Sequence, residues 1–149
     1  MKIKLLLPFL AMLFTVSTPL LAQTFDQYLS GFDYEERQAM KIKSSEAMKL
    51  YASGEAVFID IRFKEEHALW NFPFMKSIPL NELPARLGEI DKSKTIITVC
   101  PHYDRAEIAR LYLTMKGYKS RYLNDGLLGL AAYLRGDNAK QNYELIHKK

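Results

Sequence analysis

The chain has 149 residues, which suits a single domain, and 48% apolar residues, which is enough to build a packed core. This composition excludes a disordered or fibrous protein. The formal net charge of +4 is spread along the chain without a clustered basic stripe, so we expect no nucleic-acid binding.

The first 22 residues differ in composition from the rest of the chain. Lys2 and Lys4 precede an apolar run over 5–14, and Ala22 offers a small residue at a cleavage site. This order predicts a secretory signal peptide over 1–22, and its removal lowers the net charge to +2. We therefore expect a periplasmic protein with no stable membrane association after cleavage. The alternative is a protein anchored in the inner membrane by an uncleaved signal.

The remaining elements are predicted in chain order from apolar runs and from Gly and Pro positions. An N-terminal extension over 23–40 begins with a short helix, and a domain over 41–137 is followed by a loosely packed tail over 138–149. Apolar runs predict buried strands over 56–60 and 95–99 and a further strand over 119–123. Helices are predicted over 44–53, 63–70, 81–90, 105–115 and 127–134, and a short extended piece over 78–80.

This alternation of strands and helices predicts an α/β fold with a central parallel sheet covered by helices on both faces. For the helix over 105–115, the apolar side is predicted to comprise Ile108, Ala109, Leu111, Tyr112 and Met115. Functional groups in such folds gather at the carboxyl ends of the strands.

The chain has a single cysteine, Cys100, directly after the predicted strand over 95–99. An exported protein with one cysteine forms no internal disulfide. Cys100 is therefore either a buried, inert residue or a residue kept for its reactivity.

The segment that follows Cys100 has the layout of an anion-binding loop. Four residues separate Cys100 from Arg105, where a helix is predicted to begin. Backbone N–H groups turned inward at such a helix start bind anions and are expected to lower the pKa of a thiol at their centre. The Arg105 guanidinium adds a cation for an anionic substrate. A protein tyrosine phosphatase loop has five intervening residues, so the spacing disfavours that activity. The segment alone leaves a reactive and an inert Cys100 equally open.

Three patches of the sequence resemble the rhodanese-like domain family. The first patch is 58–62 followed by Glu65-Glu66-His67, the second is the loop from Cys100 to Arg105, and the third is Gly117-Tyr118 with 123–127. The resemblance covers about 42–136. It implies the three-layer rhodanese-like fold, with a parallel sheet between layers of helices.

The family implies a sulfurtransferase in which Cys100 takes a sulfur atom from a thiosulfate-like donor as a persulfide and passes it to a thiophilic acceptor. The partners would be a small sulfur-containing anion and a thiol acceptor, with no organic cofactor and no metal. By position, the loop residues that would bind the substrate are His102, Tyr103, Asp104 and Arg105. The residues that would support the loop structurally are Asp60, Arg62 and Glu66.

Two loop residues depart from the family pattern and keep other functions open. Tyr103 stands where glycine is common, and Asp104 brings a negative charge into the anion cradle. These residues favour, as an alternative, a redox-sensing or partner-binding module of the periplasm on the same fold. A catalytically silent domain would have an inaccessible Cys100.

Overall fold

Five parallel strands form the centre of the protein, in the order β1-β5-β4-β2-β3. The computed structural model describes residues 24–147. The predicted signal peptide over 1–22 therefore lies outside the described residues, as do Lys148 and Lys149. The strands are β1 (Lys41–Ile42), β2 (Ala56–Asp60), β3 (Lys76–Ser77), β4 (Thr95–Val99) and β5 (Ser120–Leu123).

Seven α-helices surround this sheet within the described part of the chain. They are α1 (Phe25–Ser30), α2 (Tyr34–Ala39), α3 (Ser44–Ala52), α4 (Lys64–Leu69), α5 (Asp104–Met115), α6 (Gly126–Leu134) and α7 (Ala139–His147). None of these helices is long and apolar enough to cross a lipid bilayer.

The central strands are apolar at successive positions because each face of the sheet packs against helices. Phe58 and Ile97 point to one face, in a cluster that also contains residues of α3 and α6. Ile59 and Ile96 point to the other face, in a cluster with residues of α5. The predicted α/β fold is therefore confirmed as a three-layer arrangement, and the predicted bounds of β2 and β4 are correct.

The order of the strands places β4 between β2 and β5. The carboxyl end of β4 therefore lies between the carboxyl ends of β2 and β5. Asp60, the last residue of β2, pairs in register with Val99, the last residue of β4. Thr98 pairs with Tyr122 of β5. Because all the strands run parallel, the loops that leave these three strands meet at one edge of the sheet, and Cys100 lies in the middle one.

Helix α5 packs on the sheet through a side that matches the predicted one in part, since Ala109 is buried and Tyr112 packs against the core. The buried residues are Ala106, Ala109, Arg110 and Leu113, whereas Ile108 is 58% exposed. The placement of Ile108 on the side of α5 that faces the sheet was wrong, and Arg110 is among the residues that this side buries instead. The Arg110 guanidinium donates to the Tyr28 hydroxyl (2.8 Å) and forms an ion pair with Glu36 (2.5 Å).

These contacts connect the first described segment of the chain to α5. The predicted helix at the start of the N-terminal extension is present as α1, which begins at a Thr24–Gln27 capping box. Helix α2 was not predicted because it buries no residue and so lacks an apolar period. The predicted domain boundaries at 23, 41 and 138 remain predictions.

Two other regions differ from the expected elements. The segment predicted as a loose helix over 81–90 forms turns and a short 3-10 helix, Leu87–Glu89, and the extended piece lies at Lys76–Ser77 rather than 78–80. The predicted loose tail instead contains α7. Its Asn142 side chain is buried and donates to the Tyr133 carbonyl (3.2 Å), and Ile146 packs against the core.

Candidate active site

The loop that begins at Cys100 is held by the sheet and by two helices. The Cys100 carbonyl accepts a hydrogen bond from the Leu127 amide of α6 (2.9 Å), and the Pro101 carbonyl accepts one from Leu128 (3.3 Å). On the other side, the Thr98 hydroxyl donates to the Ala106 carbonyl of α5 (2.8 Å). The position of the cysteine backbone is therefore fixed from three elements.

Gly126 allows α6 to approach the loop this closely. Its φ of +63° lies in the left-handed region, and a Cβ atom there would lie 2.1 Å from the His102 carbonyl oxygen. The neighbouring Asp125 accepts the Ser44 amide at the start of α3 with both carboxylate oxygens (3.2 Å each). Asp125 therefore has a structural partner of its own, although sequence reasoning did not assign one.

The sulfur atom of Cys100 is buried at the start of α5, and the residue has no exposed surface. Backbone amides of Ala106 and Arg105 hydrogen-bond to the sulfur and favour the thiolate. The thiol also contacts the Asp104 carboxylate, with 3.5 Å between Sγ and Oδ1. The sulfur thus meets two groups that favour its ionisation and one that opposes it.

The net effect is a Cys100 pKa above its usual value of 9.0, because burial opposes the charged form more than the two amides favour it. The Asp104 carboxylate adds to this effect. The expectation of a lowered thiol pKa was therefore wrong. The cost of burying a thiolate exceeds the stabilisation that the loop amides provide.

The Arg105 side chain is held by a carboxylate on a different helix. Its two terminal nitrogens donate to the two Glu66 oxygens of α4, at 2.6 and 2.8 Å. These hydrogen bonds lower the pKa of Glu66 to about 2, and the Phe63 amide donates to the same carboxylate (3.1 Å). The guanidinium therefore braces the start of α5 against the start of α4.

A family model for the rhodanese-like domain matches residues 43–132. The chain belongs to the rhodanese-like domain family. A protein of Shewanella frigidimarina named tRNA sulfurtransferase is 32% identical over 90 residues, which are 58% of this chain and 18% of that protein. The chain therefore spans less than a fifth of the length of this curated relative.

Solved structures of the family have the same fold. The reduced CoADR-RHD protein of Bacillus anthracis superimposes with a TM-score of 0.60 at 26% identity, covering 66% of this chain and 18% of that one. A rhodanese-like domain protein of Staphylococcus aureus gives a TM-score of 0.56 at 23% identity, covering 60% and 89%. The likeness to the second structure supports the fold alone.

A second ionic cluster lies beneath the rhodanese-like loop, at the carboxyl end of β2. Arg62 is fully buried and donates to both Asp60 oxygens, with the shortest contact at 2.6 Å. His67 Nδ1 lies 2.8 Å from Asp60 Oδ2. Arg62 also donates to the Trp70 carbonyl (2.8 Å), and its guanidinium carbon lies 4.3 Å from the Trp70 ring centre.

This cluster fixes the turn between β2 and α4, which carries Glu66. Burial opposes ionisation of Asp60, but hydrogen bonds from Arg62 and His67 outweigh it and lower the pKa of Asp60. Arg62 and Glu66 are also linked, because an Arg62 nitrogen lies 3.4 Å from the Glu66 carbonyl. The three residues expected to support the loop thus lie in one connected set of contacts.

The four residues predicted to bind substrate have different surroundings. His102 and Tyr103 are exposed, and the Tyr103 ring lies 6.4 Å from the Tyr122 ring. Asp104 contacts the sulfur through its side chain, and Arg105 contacts it through its amide. Ala106 also contributes an amide but was not among the predicted residues. Its apolar side chain carries no signal for such a role.

No group of histidine, cysteine, aspartate and glutamate side chains between residues 24 and 147 is arranged to hold a metal ion. His67 uses its Nδ1 atom on Asp60 instead, and His102 lies on the surface.

Proposed function

We propose that the protein is a sulfurtransferase that carries a sulfane sulfur atom as a persulfide on Cys100. The observation that carries this proposal is the position of the sulfur, directly after β4 and at the start of α5, where the backbone amides of Ala106 and Arg105 favour its ionised form. Amides at a helix start stabilise the negative charge of a thiolate or of a persulfide.

The proposed reaction has two steps that share one enzyme-bound intermediate. The Cys100 thiolate attacks the outer sulfur of a donor such as thiosulfate, so that a new S–S bond forms. The S–S bond of the donor breaks, and sulfite leaves with the electron pair. A thiophilic acceptor, such as a thiolate or cyanide, then attacks the terminal persulfide sulfur, and the Cys100 thiolate is the leaving group.

The other residues are proposed to shape the loop rather than to take part in bond changes. Arg105, held by Glu66, positions the first amides of α5, and Asp60 and Arg62 support the turn that leads into α4, the helix of Glu66. His102 and Tyr103, both exposed, would form the rim that a donor or acceptor meets first.

We further propose that the protein is exported to the periplasm with residues 1–22 as a cleaved signal peptide. The mass of the protein recovered from a periplasmic extract tests this proposal. A chain starting at Gln23 is the expected result, and a full-length chain in the membrane fraction would contradict it.

Persulfide formation tests the main proposal directly, because Cys100 is the only cysteine in the chain. The protein is treated with thiosulfate or, separately, with cysteine persulfide, and its intact mass is measured before and after cyanide is added. We expect one additional sulfur atom that disappears as thiocyanate forms. A wild-type protein that gains no more sulfur than Cys100→Ser with either donor would overturn the proposal.

The complete burial of Cys100 favours a second candidate, a non-catalytic module that binds a partner, whereas Tyr103 and Asp104 in the loop are what motivate a redox-sensing module. In that case Cys100 would gain no sulfur from either donor. A mixed disulfide with small thiols under oxidation would then indicate redox sensing, and an unreactive thiol would indicate a binding module.

A further inference from the structure

The Cys100 loop carries an anion of its own beside the sulfur, the carboxylate of the exposed residue Asp104. The Asp104 carboxylate accepts the backbone N–H of Arg105, and this hydrogen bond is the main cause of its lowered pKa. The same amide hydrogen-bonds to the Cys100 sulfur, and the carboxylate itself lies 3.5 Å from that sulfur. The position that an incoming oxyanion would take next to the thiolate is therefore negatively charged before any substrate binds.

The Arg105 side chain does not neutralise the charge of Asp104 for an incoming substrate. Arg105 is the single cation among residues 100–105, counting histidine as neutral, and both of its terminal nitrogens are bound by the Glu66 carboxylate. The Arg105–Glu66 pair is neutral as a unit, so the charged side chains at the loop leave one net negative charge, that of Asp104. A dianion that approaches the sulfur is repelled more strongly than a donor with less charge.

We propose that Asp104 is a specificity-determining residue that excludes dianionic donors and selects organic persulfides as the source of sulfur. This inference rests on the proposed function and assigns the donor class for the same site. Thiosulfate carries two negative charges, and its outer sulfur and the attached sulfonate would both have to come close to the Asp104 carboxylate. An organic persulfide, R–S–SH, carries at most one charge at the sulfur it transfers and has no sulfonate.

The transfer from a persulfide is balanced without any other reactant. The Cys100 thiolate attacks the terminal sulfur of R–S–SH, and a bond forms between the two sulfur atoms. The bond between the donor's inner and outer sulfur atoms breaks, and the thiolate R–S⁻ leaves with the electron pair. The proton stays on the transferred sulfur, so Cys100 ends as a persulfide and no net oxidation occurs.

The test compares two donors in variants that remove the charge of Asp104. Asp104→Asn keeps the shape of the side chain, and Asp104→Ser keeps an acceptor for the Arg105 amide should the asparagine variant fold poorly. Glu107→Gln is the matched control, because it removes the other negative charge of the first turn of α5. The rate constants for sulfur addition to Cys100 by thiosulfate and by cysteine persulfide are measured by intact mass for each protein.

The ratio of the two rate constants is the decisive quantity. Removal of Asp104 also changes the thiolate fraction of Cys100, but that change affects both donors equally and cancels in the ratio. We expect the wild type to prefer cysteine persulfide and the Asp104 variants to shift the ratio toward thiosulfate by about tenfold, as expected when one charge is removed a few ångströms from the reaction. Glu107→Gln should change the ratio less than about twofold, since Glu107 lies outside the loop over 100–105, whereas the Asp104 carboxylate contacts the sulfur.

Two results would overturn the inference. One is an unchanged ratio in both Asp104 variants while sulfur still adds to Cys100, which leaves the proposed function intact and removes the role of Asp104. The other is an equal shift in Glu107→Gln, which would show a general surface-charge effect. Absence of sulfur on Cys100 with both donors in every variant would instead refute the proposed function and, with it, this inference.

Discussion

The buried Asp60–Arg62 pair provides the sharpest test of how the loop is supported. Replacement of Arg62 by methionine keeps much of the side-chain volume but leaves the Asp60 carboxylate buried with only His67 and one backbone amide as partners. The substitution also removes the hydrogen bond to the Trp70 carbonyl and the contact with its ring. Breaking a buried pair from one side costs about 3–5 kcal/mol, so we expect a loss of this size in the free energy of unfolding.

Urea denaturation followed by circular dichroism measures this loss. Lys64→Met is the matched control, because the Lys64–Glu82 pair lies on the surface with the lysine side chain 69% exposed, and its removal should cost less than about 1 kcal/mol. In the double variant Asp60→Asn/Arg62→Met neither residue of this pair leaves a buried charge, so the variant should be no less stable than Arg62→Met alone. A loss below about 1 kcal/mol in Arg62→Met would refute the view that this pair holds the turn.

Three further predictions concern the loop itself. Arg105 lowers the pKa of Glu66 from 4.5 to about 2, so the pair stabilises the fold above pH 4.5 and this contribution is lost as pH falls toward 2. In Glu66→Gln the free energy of unfolding should therefore depend less on pH between 4.5 and 2. An unchanged pH dependence would contradict this. Gly126→Ala should lower the free energy of unfolding by more than about 2 kcal/mol, because a Cβ atom there would clash with the Cys100 loop. Gly54→Ala is the control, since Gly54 has a positive φ but open space around it, and it should cost only about 1 kcal/mol. Equal losses would argue against the steric role of Gly126. Since burial raises the pKa of Cys100, its alkylation by iodoacetamide should accelerate above pH 9.0, and an inflection below that pH would show that the amides prevail over burial.

The sequence predicts the bounds of a secondary-structure element best where both faces of that element are apolar. Strands β2 and β4 are correctly predicted because both of their faces are buried, which leaves an uninterrupted apolar run. Strand β1 has only two residues, and its pairing with β5 depends on tertiary contacts that leave no local pattern. The buried side of helix α5 could not be predicted from local sequence. The burial of Arg110 depends on Tyr28 and Glu36, which are more than 70 positions away.

The candidate site is predictable in its place but not in its electrostatics. The position of Cys100 follows from the end of a strand and the start of a helix, both of which have local signals. The proximity of Asp104 to the thiol also follows from the sequence, since both residues lie in the same short loop. The pairing of Arg105 with Glu66 has no such signal, because 39 positions separate the two residues and only the fold brings α4 beside α5. The depth of the sulfur likewise depends on packing, which is why the direction of its pKa shift was mispredicted.

The central claim is that the buried thiol of Cys100 accepts and releases a single sulfur atom. Intact-mass spectrometry of the protein treated with cysteine persulfide, followed by peptide mapping, tests this claim most directly. We expect one added sulfur on the peptide that contains Cys100 and its loss on exposure to cyanide. A wild-type mass that stays unchanged, or an addition that persists in Cys100→Ser, would contradict it.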